Sequence, residues 1–132
     1  MYGKLPTIQG VEPHEVKGEG LPKQVKREKV KPTVYIAERI IGNGSFGVVY
    51  KAVQNSNNRN AVGDTVAIKK VYQDKRYKNR ELQILKILRH PFCIKLRHYF
   101  YTNGDANDEV YLNVVMEHVP DTLYKIMKNY MK

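Results

Sequence analysis

Apolar residues recur along this chain in two rhythms. Thr33 to Ile41 and Gly47 to Gln54 hold short β-branched and aromatic runs: Tyr35, Ile36, Ile40 and Ile41, then Val48, Val49 and Tyr50. Broken by Gly-Asn-Gly-Ser, these predict strand, tight turn, strand. Asp64 to Tyr72 predicts a third strand. Alternation there puts Lys69 on the face of Ala67 and Val71, opposite Val66, Ile68 and Lys70. From Lys78 to Leu88 the rhythm changes. Leu82, Leu85 and Leu88 form a stripe with Ile84 and Ile87 beside it, which predicts a helix. Cys93 to Thr102 and Val110 to Met116 return to strand character, with the turn-forming stretch Asn103 to Asp108 between them. Pro120-Asp121-Thr122 then caps a last helix, whose Leu123, Ile126, Met127, Tyr130 and Met131 share one face. The order is β-β-β-α-β-β-α, with no internal repeat.

Composition adds limits. The 132 residues suffice for one domain with a modest core, and 42% hydrophobic with 27% charged residues is ordinary for a soluble protein. No apolar run is long enough to span a bilayer, and Met1 to Gly20 has no signal-peptide core, so no membrane partner is expected. The single cysteine, Cys93, excludes an internal disulfide and suits a reducing compartment, cytoplasmic or nuclear. It lies in an apolar stretch and is expected to be a small buried hydrophobe. The net charge of +10 raises a nucleic-acid reading. The basic residues are spread along the chain and no nucleic-acid-binding signature is present, so the expected anions are phosphates on a nucleotide or on a phosphorylated protein. Residues 1–32 read as a flexible tail, basic from Lys23 to Lys31, and Asn55 to Gly63 as an exposed polar connection.

The candidate chemistry begins at Ile41-Gly-Asn-Gly-Ser-Phe-Gly-Val-Val49, which fits G-x-G-x-x-G-x-V. Glycine accepts positive φ and has no Cβ to keep a phosphate from the backbone N–H groups. In a dinucleotide-binding fold this spacing opens a helix, but β-branched residues follow here. Taken alone, the loop fits a ligand-free hairpin equally well. Val66-Ala-Ile-Lys69 follows, a pattern in which a strand lysine neutralises α- and β-phosphates. Lys69 needs an anionic partner or a path to water. Glu81 lies on the inward edge of the predicted helix, placed to pair with it, while Arg80 is rotated by about 100° and points elsewhere. Ala67 is small enough for a flat ring to lie against the sheet.

Glycine loop, strand lysine and helix glutamate, in that order, resemble the N-terminal lobe of protein kinases. Gln73-Asp-Lys-Arg-Tyr-Lys-Asn-Arg-Glu-Leu-Gln-Ile84 and Asp108-Glu-Val-Tyr-Leu-Asn113 resemble more narrowly the glycogen synthase kinase 3 family. The resemblance implies an α+β fold: a five-stranded antiparallel sheet with one main helix at 33–119, then a short C-terminal helix at 120–132 that belongs to a second lobe. It implies ATP as ligand, with Mg2+ in a complete kinase, and a phosphorylated protein as substrate. Lys69 and Glu81 would be the catalytic pair. Gly42, Gly44, Ser45, Phe46 and Gly47 would cover the phosphates, and Ile41, Val49 and Ala67 would sandwich adenine. Met116 would close the back of the pocket, Glu117 and Val119 would bond adenine through their backbones, and Arg80 would bind a phosphate already on the substrate. His-Arg-Asp, Asp-Phe-Gly and Ala-Pro-Glu occur nowhere, so this polypeptide alone is expected to transfer no phosphate. The alternative is a non-catalytic interaction or regulatory module that pairs with another chain through its exposed lower face, or forms a homo-oligomer through its last helix.

Overall fold

The computed structural model describes residues 7–9, 33–55, 64–74 and 76–132. Most of the tail and of the Asn55 to Gly63 connection, both read from the sequence above, lies outside them. The elements are β1 (Thr7–Gln9), β2 (Val34–Gly44), β3 (Gly47–Asn55), β4 (Thr65–Tyr72), α1 (Arg80–Ile87), β5 (Leu96–Asn103), β6 (Val110–Glu117) and α2 (Leu123–Tyr130). The expected five strands form one antiparallel sheet, and the three-residue β1 joins its edge beside β2. The order is β1-β2-β3-β4-β6-β5. A β-meander runs as far as β4. The chain then crosses through α1 to the far edge, and β6 returns to the gap between β4 and β5.

The sheet has two unlike faces. On one, Tyr35, Ala52, Val66, Ile68, Phe100 and Val115 pack into a fully buried cluster. Tyr35 is on β2 and Phe100 on β5, at opposite ends of the five-stranded part, so the sheet curls until its ends meet across this face. Their rings lie parallel with centroids 6.3 Å apart. The Tyr35 hydroxyl is 2.7 Å from His98 Nε2. Irregularities in β2, between Ala37 and Arg39 and between Ile40 and Gly42, contribute the bending that curling needs. On the other face Leu82 of α1 is buried against Leu112 and Val114 of β6, flanked by Leu85, Leu96, Tyr99 and Met116.

Local chemistry moved three boundaries. The Asn79 side chain accepts a hydrogen bond from the Leu82 N–H at 3.0 Å, so Asn79 is the N-cap and the helix starts at Arg80 rather than Lys78. At the other end Leu88 adopts extended backbone and is exposed, so the helix stripe is shorter than the sequence spacing predicts. Cys93 is exposed rather than buried. The Phe92 N–H bonds His90 Nδ1 and the Cys93 N–H bonds the His90 carbonyl, both at 3.1 Å. These bonds hold 90–93 as a turn on the surface and delay β5 to Leu96.

The Tyr35–His98 contact is sensitive to protons. Burial pushes the Tyr35 hydroxyl up to about 12, so it stays protonated and donates. Burial first, then the charge of Arg97, hold His98 below its ordinary value of 6.5. Such a histidine binds its proton less well folded than unfolded. Its contribution is complete above about pH 6.5 and drains as pH falls towards the folded value. Thermal unfolding followed from about pH 7.5 to 5.5 is therefore expected to show falling stability, with a shallower slope in His98→Gln. Identical slopes would show that His98 does not carry the effect.

Candidate functional site

Register places the site residues. Directly paired residues share a sheet face. Gly42 pairs with Val49, Val49 with Lys69, and Lys69 with Val114, while Ala67 pairs with Met116 one row along. Val49, Ala67, Lys69 and Met116 therefore lie on the face that seats α1. Leu82 fixes the helix there, and Glu81, its neighbour, reaches Lys69. The Lys69 Nζ to Glu81 Oε2 distance is 2.7 Å. The lysine side chain is 18% exposed and the glutamate 45%, so water still screens the pair. A pair of this kind contributes about 1 kcal/mol or less to stability. Its consequence is positional: the ammonium is held at one point over the sheet.

The glycine hairpin closes on the same point. Ser45 and Phe46 form its exposed tip, and the Phe46 ring centroid is 5.3 Å from Lys69 Nζ. Gly47 has φ +138, and a Cβ there would come within 2.2 Å of the Lys70 carbonyl oxygen. Gly42 has ordinary room, its nearest contact being Val49 at 3.4 Å. Ile41 is the extra residue of the second β2 irregularity and is exposed.

Other site candidates stand apart. Glu117 ends β6, exposed, with its N–H donated to the Lys95 carbonyl at 3.3 Å. Val119 lies exposed between β6 and α2. Arg80 is exposed in the first turn of α1 and has no carboxylate partner among the described residues.

The hairpin also lines a cavity of about 480 Å³ on the opposite face, with Lys70, Tyr72, Glu109 and Tyr111 in its wall. Lys70 Nζ sits 4.7 Å from the Tyr111 ring centroid. The Tyr111 hydroxyl donates to Glu109, which lowers the carboxyl and raises the phenol from their ordinary values. The motif reading missed this cavity, because it followed the face of Lys69 alone. Strand alternation was the available signal, since it puts Lys70 and Tyr72 together on the reverse side.

A family model described as "Protein kinase domain" matches residues 35–132. The chain belongs to the protein kinase family. Kinase membership brings ATP and a protein substrate as ligands. The residues present fit the phosphates: a fixed lysine cation, and a glycine hairpin whose exposed Ser45–Phe46 tip lies beside it. They do not fit a magnesium ion, because the described residues contain no cluster of three or more His, Cys, Asp or Glu that could hold one. No described helix is long and apolar enough to cross a membrane.

The glycines of this kinase hairpin are expected to differ under substitution. Gly47→Ala meets both positive φ and a backbone carbonyl, and should cost about 1–3 kcal/mol or more. Gly42→Ala meets only ordinary contacts and should cost less, about 0.5 kcal/mol. Denaturant melts of the two variants check the ranking, and equal losses would refute it.

Proposed function

We propose that this chain is the ATP-binding lobe of a serine/threonine kinase of the glycogen synthase kinase 3 type. The observation that carries the proposal is the 2.7 Å Lys69–Glu81 pair, set on the sheet face of Val49, Ala67 and Met116. When ATP binds, it supplies the phosphoryl group to be transferred. Lys69 neutralises its α- and β-phosphates, oriented by Glu81. The backbone from Gly42 to Gly47 covers the phosphates, with Ser45 and Phe46 as the lid. Ile41, Val49 and Ala67 receive adenine, and Met116 bounds the pocket behind it. The Glu117 N–H is already donated, so that residue offers its carbonyl, while Val119 offers its N–H. Arg80, exposed one residue before Glu81, supports a contact to a phosphate on a primed substrate, and so the narrower family reading. We place the protein in the cytoplasm or nucleus, on its single unpaired thiol.

The same reading makes this polypeptide inactive by itself. Transfer needs a carboxylate to orient the accepting hydroxyl and ligands for the metal, and the motifs that supply them do not occur in the sequence. Incubation with magnesium-ATP and a primed peptide is expected to give no turnover. Calorimetry should show weak nucleotide binding at most, because part of the ordering cost is left uncompensated. Lys69→Met should weaken it by about tenfold, near 1.4 kcal/mol. Turnover lost in Lys69→Met would overturn the first claim, and unchanged affinity in that variant would overturn the site.

One observation favours the interaction-module reading beside this one. Leu123, Ile126, Met127, Tyr130 and Met131 of the α2 region are 42–88% exposed. Each large apolar side chain left in water forgoes roughly 1.5–3 kcal/mol of burial, and charge repulsion is screened beyond about 8–10 Å at moderate salt. A homo-oligomer through α2 follows. Sedimentation equilibrium should show association that Leu123→Glu with Ile126→Glu abolishes, and a monomeric parent would refute it.

A further inference from the structure

A second cleft lies away from the Lys69 site, between the C-terminal end of α1, the turn that follows it and the start of β5. It encloses about 740 Å³. Its apolar floor includes Leu85, Leu96 and Tyr99, and its rim carries Lys86, Arg89, Lys95 and Arg97. No carboxylate lines it.

The cations differ in how far they are already engaged. Arg97 bonds Asp64 at 3.1 Å, and Lys86 Nζ lies 4.3 Å from the Tyr99 ring centroid. Arg89 and Lys95 are exposed, with no carboxylate partner among the described residues. One cation at a helix C-terminus is the ordinary complement of the helix dipole. Four around one apolar cleft exceed that need. Like charges held together raise the energy of the free protein, and an incoming anion relieves it.

We propose that this cleft docks an acidic peptide segment of a partner protein, with an apolar side chain on the Leu85–Leu96 floor and carboxylates against Arg89 and Lys95. The apolar floor selects the class of partner. Burial of a Phe or Leu side chain there removes apolar surface from water on both sides. A nucleic-acid backbone brings the charge but leaves the floor wet. The floor adjoins the ATP-binding face proposed above, since Leu96 pairs with Met116, but Arg89 and Lys95 belong to no part of that face, so their variants test this site apart from nucleotide binding.

The probe is a fluorescein-labelled Glu-Asp-Phe-Glu-Asp-Leu-Glu peptide, titrated with the chain and read by anisotropy at low and moderate salt. Binding is expected to weaken with salt and to fall at least about tenfold in Arg89→Glu with Lys95→Glu. Both residues are exposed, and a thermal melt confirms that the double variant stays folded. Lys125→Glu with Lys128→Glu changes net charge equally at α2, and should alter binding by less than about twofold. A Gln-Asn-Phe-Gln-Asn-Leu-Gln peptide should not bind. A Glu-Asp-Ser-Glu-Asp-Ser-Glu peptide should bind at least about tenfold more weakly than the probe. Equal losses in the two double variants would reduce the effect to general charge and overturn the proposal. Equal binding of either control peptide would overturn it too, as would a short DNA duplex that bound more tightly and displaced the probe.

Discussion

The seating of Leu82 is the contact on which the candidate site depends. Among the described residues of α1 it alone is buried, held by Leu112 and Val114 of β6. Helix geometry then fixes Glu81 within reach of Lys69, and the Asn79 cap fixes where the first turn begins. A polar pair this wet does not hold a helix in place by itself. The apolar contact carries the position, and the ion pair reads it out. A shift of α1 on the sheet would therefore unseat Leu82 and part the lysine and glutamate together.

The two faces of the sheet divide the work. One is closed by its own curl, with Tyr35 and Phe100 meeting from opposite strands, and it supplies rigidity. The other holds Lys69 and Met116 only partly covered beside the helix, over a buried Ala67, and it is the face on which the proposed site lies. Alternation along β4 delivers both at once, because Val66 and Ile68 enter the closed face while Ala67 and Lys69 enter the open one. Buried Asn113 is the exception within the closed layer: its amide nitrogen donates to Thr102 Oγ1 at 2.9 Å, while its oxygen finds no partner among the described residues.

Much of this was legible in the sequence, for identifiable reasons. Strands β2 to β6 announced themselves by β-branched and aromatic runs, and the hairpin by three glycines. The Lys69–Glu81 pair followed from a period of two in β4 and the first turn of α1. What stayed hidden depended on contacts distant in sequence or on one hydrogen bond. The curl that joins Tyr35 to His98 spans 63 positions and leaves no local pattern. The exposure of Cys93 turns on the His90 bonds, which outweigh an apolar neighbourhood. The cleft beside α1 escaped notice because its cations come from three separate elements and cluster only in space.

The place of β6 has a consequence for how the molecule is made. It is the last strand in the sequence, yet it lies inside the sheet, between β4 and β5. It also brings Leu112, Val114 and Val115, which serve both hydrophobic clusters. On a ribosome β2, β3 and β4 can assemble as a local meander, but β4 then presents an open edge until residue 117 has emerged. Non-local insertion of this kind is slow, and open edges invite pairing with other chains. The vulnerable interval in the life of this protein is therefore its synthesis, and the strand that ends the interval is also the one that seats the helix.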